Sequence, residues 1–66
     1  MQCIINGDHF KFAKELNIQE LISEIGLDEN RVIVEHNEVL VQRQQFHIQV
    51  VRDQDCLELL EFVGGG

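Results

Sequence analysis

The chain has 66 residues, 44% of them hydrophobic, and its 12 acidic and 5 basic residues give a formal net charge of −7. This length allows one domain, residues 1–66, with a thin core, and the composition is that of a folded chain rather than a disordered one. The acidic excess argues against binding to nucleic acid or to an anionic membrane surface, since phosphate binding depends on Lys and Arg side chains.

The N-terminal residues are predicted to form a β-hairpin. Residues 2–6, QCIIN, alternate as a short strand does. Asn6-Gly7 is the strongest short hairpin signal, because both central positions of a type I′ turn need a positive φ. The segment that follows alternates again, with Phe10 and Phe12 on one side, and it is predicted to be the second strand.

The segment ELNIQELISEIGL predicts an amphipathic helix of about two turns. Asn17 can cap this helix while Glu20 reaches back to it, as in a capping box. Gly26 is predicted to end it in a left-handed conformation. A helix this short is not stable alone, so we expect it to pack on a sheet.

Three more strands are predicted after the helix. Residues 31–35, RVIVE, form a β-branched run that predicts a strand buried on both faces. A turn at HNE leads to a short strand at residues 39–41, and CLELLEFV at residues 56–63 is predicted to be the last strand. Between them, residues 42–55 are predicted to be an irregular crossing that packs four apolar side chains: Phe46, Ile48, Val50 and Val51.

This order, ββαβββ, predicts an α+β fold in which one main helix packs on one face of a mixed sheet of four to five strands. If the first and last strands are central and parallel, the last strand directs the C-terminal residues into solvent. We therefore expect a flexible glycine tail at residues 63–66.

No catalytic or metal site is predicted. Ser23 is the single serine and has no histidine at helical spacing to activate it. The three histidines match no metal-ligand spacing and are predicted to be isolated surface or turn residues: His9, His36 and His47. Asp53 and Asp55 lack the rest of a calcium-loop motif, so they are predicted to lie in a solvated turn.

Cys3 and Cys56 lie far apart in sequence, and both have apolar neighbours. We expect them to be reduced and to behave as small hydrophobic residues rather than to form a disulfide. No signal peptide and no apolar run of about 20 residues is present, so a cytoplasmic location is expected.

The C-terminal glycines are the remaining candidate site. Gly64, Gly65 and Gly66 carry no Cβ, and residues 63–66 can extend about 13 Å, which suits a narrow channel. The α-carboxylate is a poor electrophile, but an ATP-using enzyme could convert it to an acyl-adenylate with an unhindered carbonyl. The alternative is a frayed terminus without a function.

Five segments of the chain match the pattern of a known family: INGD after the first strand, IQELISEIGL in the helix, VIVEHN before the middle turn, VQRQQF after it, and DQDCLELLEFVGGG at the end. On these segments the sequence resembles, over its whole length, the ThiS family of sulfur carrier proteins in thiamin biosynthesis. Three positions depart from the pattern, all in turns: Glu38 and Gln54 replace glycines, and Gln42 replaces a proline.

The resemblance implies a ubiquitin-like β-grasp fold and a carrier that is a protein co-substrate, not an enzyme. A ThiF-type adenylating enzyme would use ATP and Mg²⁺ to activate the Gly66 carboxylate, while the carrier itself binds no cofactor. Sulfur from a cysteine desulfurase persulfide would then give a thiocarboxylate. A thiazole synthase of the ThiG type would take that sulfur into the thiazole ring.

The resemblance also implies roles for the last residues. Gly66 would bear the sulfur, and Gly64 and Gly65 would give the slender reach into a partner's active site. Three residues before them would contact the partner: Phe62 and Val63 as docking residues, and Leu60 as a further contact. For Phe62 the alternative is that it caps the core.

Other interpretations share the fold. The small subunit of molybdopterin synthase also ends in Gly-Gly but is usually longer, so the thiamin branch is favoured. A ubiquitin-like modifier would join the same activated carboxylate to target lysines. The third alternative is an interaction module whose tail is inert. In every case a monomer is expected.

Overall fold

The computed structural model describes residues 1–63. It contains one α-helix, seven strands and two short 3₁₀ helices, at Glu29–Arg31 and Arg43–Gln45. The helix, α1, spans Ile18–Glu24. The strands are β1 (Gln2–Ile5), β2 (Asp8–Lys11), β3 (Leu16–Asn17), β4 (Val32–His36), β5 (Val39–Val41), β6 (Val50–Val51) and β7 (Cys56–Glu61).

Five strands form the main sheet in the order β2-β1-β7-β4-β5. β7 is central: it runs parallel to β1 on one side and antiparallel to β4 on the other. β2 and β5 form the two edges, each joined to its neighbour by a hairpin. The predicted α+β fold with a mixed sheet is confirmed, and β1 and β7 meet the condition of being parallel neighbours, which the sequence left open.

The predicted turn and helix ends are also confirmed. Asn6 and Gly7 have φ values of 52° and 84°, as a type I′ turn requires. The Asn17 side chain accepts from the Glu20 N–H at 2.7 Å, and the Glu20 carboxylate accepts from the Asn17 N–H at 2.9 Å. Gly26, with φ 82°, follows the last turn.

Two backbone hydrogen bonds close the end of the helix. The Gly26 N–H donates to the Ser23 carbonyl at 3.1 Å, and the Leu27 N–H donates to the Ile22 carbonyl at 3.0 Å. This is the Schellman arrangement, in which a residue with positive φ turns the chain away from the helix axis. Its geometry directs the chain from α1 towards β4.

The core lies between α1 and one face of the sheet. The helix contributes Ile18, Leu21 and Ile22, each at most 1% exposed, and Val34 of β4 lies opposite them at 0%. The full cluster consists of Cys3, Ile5, Leu16, Ile18, Leu21, Ile22, Val32, Val34, Val41, Phe46, Val51, Leu57 and Leu59. The predicted packing of the helix on the sheet is therefore confirmed.

β4 is buried on one face, so the prediction that both faces are buried is wrong. Val32 and Val34 point into the core, whereas Ile33 is 45% exposed and Glu35 is exposed. The physical reason is that α1 covers one face of the sheet, and no other described element covers the second. β-branched residues favour strands whether a face is buried or exposed, so this run of them does not indicate burial on both faces.

The crossing over residues 42–55 is more regular than predicted, since β6 pairs with β3 in a second, two-stranded sheet. Phe46 and Val51 enter the core as predicted. Ile48 is 58% exposed and Val50 is 37% exposed, so for these two residues the prediction is wrong. Val50 alternates with Val51 along β6, and only one of two neighbouring strand residues can face the core.

The three departures from the ThiS pattern keep the expected backbone. Glu38 and Gln54 have φ values of 71° and 74°, in the region that glycine adopts most readily. Gln42 has φ −72° and ψ 146°, which a proline could adopt without change. The backbone at these positions is therefore compatible with the glycines and the proline of the family pattern, and two non-glycine residues occupy left-handed positions.

Candidate functional site

The C-terminal end of β7 leaves the sheet beside the start of β4. The strand ends at Glu61, which lies opposite Val32. The Phe62 N–H still donates to the Arg31 carbonyl at 2.9 Å, so the chain is held for one residue beyond the strand. Val63, the next residue, is 84% exposed. The described chain therefore points away from the domain at this end of the central strand.

The three predicted docking residues are all exposed. Leu60 is 64% exposed and Phe62 is 45% exposed, and neither belongs to the core cluster. This exposure favours the docking alternative for Phe62 over the alternative that it caps the core. The other predicted site residues, Gly64, Gly65 and Gly66, lie outside the described residues. Their roles, and the flexible tail predicted at residues 63–66, stay predictions.

Asn6 holds the last part of β7 in place. Its side-chain Nδ2 donates to the Leu59 carbonyl at 3.0 Å, and its Oδ1 accepts from the Leu59 N–H at 2.8 Å. The paired backbone of β1 ends at Ile5, which lies opposite Leu57. The Asn6 amide thus takes the place of the backbone of one further β1 residue. It provides hydrogen-bond partners for the Leu59 N–H and carbonyl, which point away from β4.

The second face of the sheet is uncovered in the described part of the chain, and we call it the open face. Directly paired residues of neighbouring strands share a face, which places Ile33 with Leu60, Glu35 with Glu58 and Glu35 with Leu40. On the part of the open face formed by β4, β5 and β7, five exposed side chains lie together: Ile33, Glu35, Leu40, Glu58 and Leu60. Three are apolar and two are acidic. A shallow depression between β4 and β7 lies on this face, beside Asn6.

The apolar part of the open face on β4 was not predicted, because Ile33 was expected to be buried. One signal could have revealed it: a chain with a single helix can cover only one face of a five-stranded sheet. With that constraint, the alternation of Ile33 with the two core valines of β4 predicts an exposed isoleucine.

A cluster of four polar side chains lies at the opposite end of β7. Nε2 of His36 is 2.6 Å from Oδ2 of Asp55, and Nδ1 is 2.7 Å from Nε2 of Gln49. Because the Gln49 nitrogen donates, Nδ1 accepts and Nε2 carries the proton that is donated to Asp55. Asn37 Nδ2 adds a bond to Asp55 Oδ1 at 3.1 Å. The cluster joins the ends of β4 and β7 to the crossing before β6.

Two predictions about these residues are therefore wrong. His36 is not an isolated surface histidine, since 9% of its side chain is exposed, and Asp55 is 18% exposed rather than solvated. Asp53 does lie at the surface, where its Oδ1 accepts from the Gln2 N–H at 2.7 Å. Residues 36, 49 and 55 are far apart in sequence, and no local pattern connects them.

Hydrogen bonds lower the pKa of both aspartates. Burial raises the pKa of Asp55, but bonds from the Arg52 N–H, His36 and Asn37 outweigh burial and leave the pKa below its ordinary value. For Asp53 the bond from the Gln2 N–H is the main cause of a lowered pKa. Both carboxylates therefore stabilise the fold in their ionised form.

The two cysteines lie in different environments, and both are free thiols. Cys3 is 2% exposed in the core, and burial raises the pKa of its thiol, which makes it unreactive. Cys56 is also free, as expected, but it is exposed and therefore does not pack as a small hydrophobic residue. Cys56 pairs with Ile4 across the parallel strands.

Residues 1–63 contain no group of three or more His, Cys, Asp or Glu side chains placed to hold a metal ion. Within the same residues, no helix has the length and apolar character needed to span a membrane.

The structure has a mixed sheet with a parallel central pair, one helix on one face, and a last strand whose end is exposed. This combination defines a ubiquitin-like β-grasp protein. The ThiS family model matches residues 3–66. The chain belongs to the ThiS family.

Three similar proteins place the chain within this family. A crystal structure of the thiamine biosynthesis protein ThiS from Geobacter metallireducens superposes with a TM-score of 0.84 at 35% identity, covering 100% of both chains. The sulfur carrier protein ThiS of Bacillus subtilis is 35% identical, over 94% of this chain and 96% of its own length. A thiazole synthase of Paramagnetospirillum magneticum is 35% identical over 100% of this chain, which spans only 20% of that protein.

Proposed function

We propose that this chain is a sulfur carrier of thiamin biosynthesis and that the Gly66 carboxylate is the group that carries the sulfur. The observation that supports this most strongly is the 35% identity to the Bacillus subtilis sulfur carrier protein ThiS, along 96% of that protein's length. The exposed end of the central strand also supports it, because Val63 already projects from the domain.

The first step is activation of the carboxylate. An oxygen of the Gly66 carboxylate attacks the α-phosphorus of ATP in a ThiF-type adenylating enzyme, and pyrophosphate leaves. Mg²⁺ held by that enzyme neutralises the phosphate charge. The product is an acyl-adenylate, in which AMP is a good leaving group. Gly64 and Gly65 add no side chains, so the extended segment fits a narrow channel to the bound nucleotide.

The second step introduces sulfur. The terminal sulfur of a persulfide, formed by a cysteine desulfurase, attacks the glycyl carbonyl, and AMP leaves. A thiol then reduces the resulting sulfur–sulfur bond, which releases the thiocarboxylate on Gly66 and leaves the thiol side oxidised to a disulfide. The chain acts throughout as a protein co-substrate, and its own side chains perform no chemistry.

A thiazole synthase is the proposed acceptor of this sulfur. Support comes from the Paramagnetospirillum magneticum thiazole synthase, in which a segment similar to this whole chain makes up 20% of the protein. A carrier segment and the rest of a synthase in one polypeptide have a high effective concentration for each other. For docking on a synthase we assign Phe62 and Val63, with Leu60 as a further contact.

Intact-mass measurement tests the proposal. The chain is incubated with a ThiF-type enzyme, ATP, Mg²⁺, a cysteine desulfurase, cysteine and a thiol. A carrier gains the mass difference of one oxygen exchanged for one sulfur, and a variant lacking Gly65 and Gly66 gains nothing. Higher-mass adducts with other proteins indicate a modifier. An unchanged mass, with an enzyme shown to load another ThiS protein, contradicts the proposal.

A further inference from the structure

Two glutamates of the open face oppose each other, and neither forms an ion pair within residues 1–63. Glu35 of β4 and Glu58 of β7 are directly paired across the two strands. Directly paired side chains in an antiparallel ladder have Cβ atoms about 5 Å apart, and like charges in such a pair are destabilising. The ion pairs found in residues 1–63 involve other carboxylates, on Asp28, Glu15 and Asp55.

Apolar side chains lie on two sides of this pair of glutamates. Along the same two strands, Ile33 and Leu60 form the next pair on the open face. On the other side of Glu35, the edge strand places Leu40 directly opposite it. The three apolar side chains are 45%, 64% and 57% exposed, respectively. A partner that covered them would also remove water from the two carboxylates, which is unfavourable unless a positive charge accompanies it.

We propose that the open face is a docking surface for the thiazole synthase and that a Lys or Arg side chain of the synthase inserts between Glu35 and Glu58. An apolar surface of the synthase around that side chain covers Ile33, Leu40 and Leu60. The proposal rests on the proposed function, because that function supplies the partner. It adds the pair of glutamates as the specificity determinant of the contact, distinct from the docking residues next to the tail.

The charges of this chain favour a basic protein side chain over other occupants. A second copy would bring four carboxylates together and join two chains that each carry a net charge of −7. A metal ion is disfavoured because no third His, Cys, Asp or Glu joins the pair within residues 1–63. One ammonium or guanidinium group balances the repulsion and forms charge-assisted hydrogen bonds with both carboxylates.

The proposal predicts opposite effects of a substitution on the stability of the free chain and on its affinity for the partner. Neutralising either glutamate removes a repulsion from the free chain, so its unfolding midpoint should rise. The same change removes an attraction in the complex, so binding should weaken. Glu35→Lys goes further, because its ammonium group pairs with Glu58 within the chain and fills the place of the partner's cation. A variant that failed to fold would bind weakly but would not show a higher unfolding midpoint.

Calorimetric titration with the thiazole synthase of the same organism tests the proposal. We expect Glu35→Gln and Glu58→Gln each to raise Kd by about tenfold or more, and Glu35→Lys to raise it further. The control Glu24→Gln, on the exposed side of α1, makes the same change in net charge and should leave Kd within about twofold. The unfolding midpoints of the Glu35 and Glu58 variants should equal or exceed that of the unchanged chain.

The outcomes separate this proposal from the proposed function. If the unchanged chain binds the synthase and the Glu35 and Glu58 variants bind equally well, the docking surface is overturned and the sulfur carrier function stands. If both glutamate variants and the control weaken binding equally, net charge alone explains the contact and the specific surface is also overturned. If the unchanged chain does not bind, both proposals lose their shared premise, the synthase as partner.

Discussion

The side-chain amide of Asn6 pairs with both backbone groups of Leu59 across 53 positions of sequence. This contact continues the hydrogen bonding along the β1 side of β7 beyond Ile5, the residue at which β1 ends. It links a sequence feature of the first hairpin to the position of the last strand. The two hydrogen bonds hold the backbone of β7 at Leu59, close in sequence to Phe62.

Asn6→Gly tests this pairing without straining the turn, because glycine adopts the φ of 52° found at Asn6 readily. We expect the free energy of unfolding to fall by about 1–3 kcal/mol, since the Leu59 N–H and carbonyl lose their partners. Asn6→Asp should also destabilise, because a carboxylate can accept from the N–H but repels the carbonyl. Urea unfolding measures both changes. An Asn6→Gly variant as stable as the unchanged chain would show that water replaces the amide at no cost.

Glu38→Gly and Gln54→Gly should each stabilise the chain. Both residues have positive φ values, 71° and 74°. A left-handed conformation costs an L-residue roughly 1–2 kcal/mol, part of which the greater unfolded-state freedom of glycine offsets. We expect a net gain of about 0.5–1 kcal/mol for each in chemical denaturation. Lys14→Gly, at an exposed loop position without a positive φ, is the control and should give no gain.

Gln42→Pro should stabilise the chain by restricting the unfolded state. Gln42 has φ −72°, within the range of proline, and no hydrogen bond from its backbone N–H is found within the described residues. A compatible proline contributes about 0.4–1 kcal/mol. Thermal unfolding measures the gain, with Gln44→Pro, inside the 3₁₀ helix, as the contrasting variant that should destabilise. A loss of stability for Gln42→Pro indicates that its N–H has a partner.

Asp55 should make stability depend on pH at the acidic end. Its folded pKa lies below the ordinary 3.8, so its ionised form stabilises the fold above that pH. The contribution is lost as the pH falls through the lower, folded pKa. Asp55→Asn should therefore cost about 1–3 kcal/mol near pH 7, and this cost should shrink as the pH falls below 3.8. Urea unfolding over a series of pH values from 7 into the acidic range measures the change, and a cost that does not shrink would contradict the assignment.

Features that depend on neighbours within a few residues were predictable from the sequence. The Asn6-Gly7 turn, the Asn17–Glu20 capping box and the end of the helix at Gly26 are local, and the structure confirms all three. Backbone conformation at such positions follows from the chemistry of one or two side chains. The α+β class followed from these local elements, because a hairpin, one helix and further strands are typical of a single sheet with a helix on one face. The order of the strands across the sheet was not predicted.

Features that depend on the tertiary fold were not predictable in the same way. His36 and Asp55 meet only because β4 and β7 are antiparallel neighbours. The exposure of Ile33 depends on how much of the sheet the helix covers. The composition of the strand carries no information about this coverage. For the candidate site, the exposed Leu60, Phe62 and Val63 agree with their predicted docking roles, and these roles stay predictions.

Transfer of labelled sulfur tests the central claim most directly. The chain is loaded with isotopically labelled sulfur at Gly66, purified, and mixed with thiazole synthase and its other substrates. We expect labelled thiazole, in an amount equal to the loaded chain consumed, and return of the chain to its carboxylate form. Thiazole formed without the label, while the loaded chain keeps its sulfur, would contradict the claim that this protein carries the sulfur of the ring.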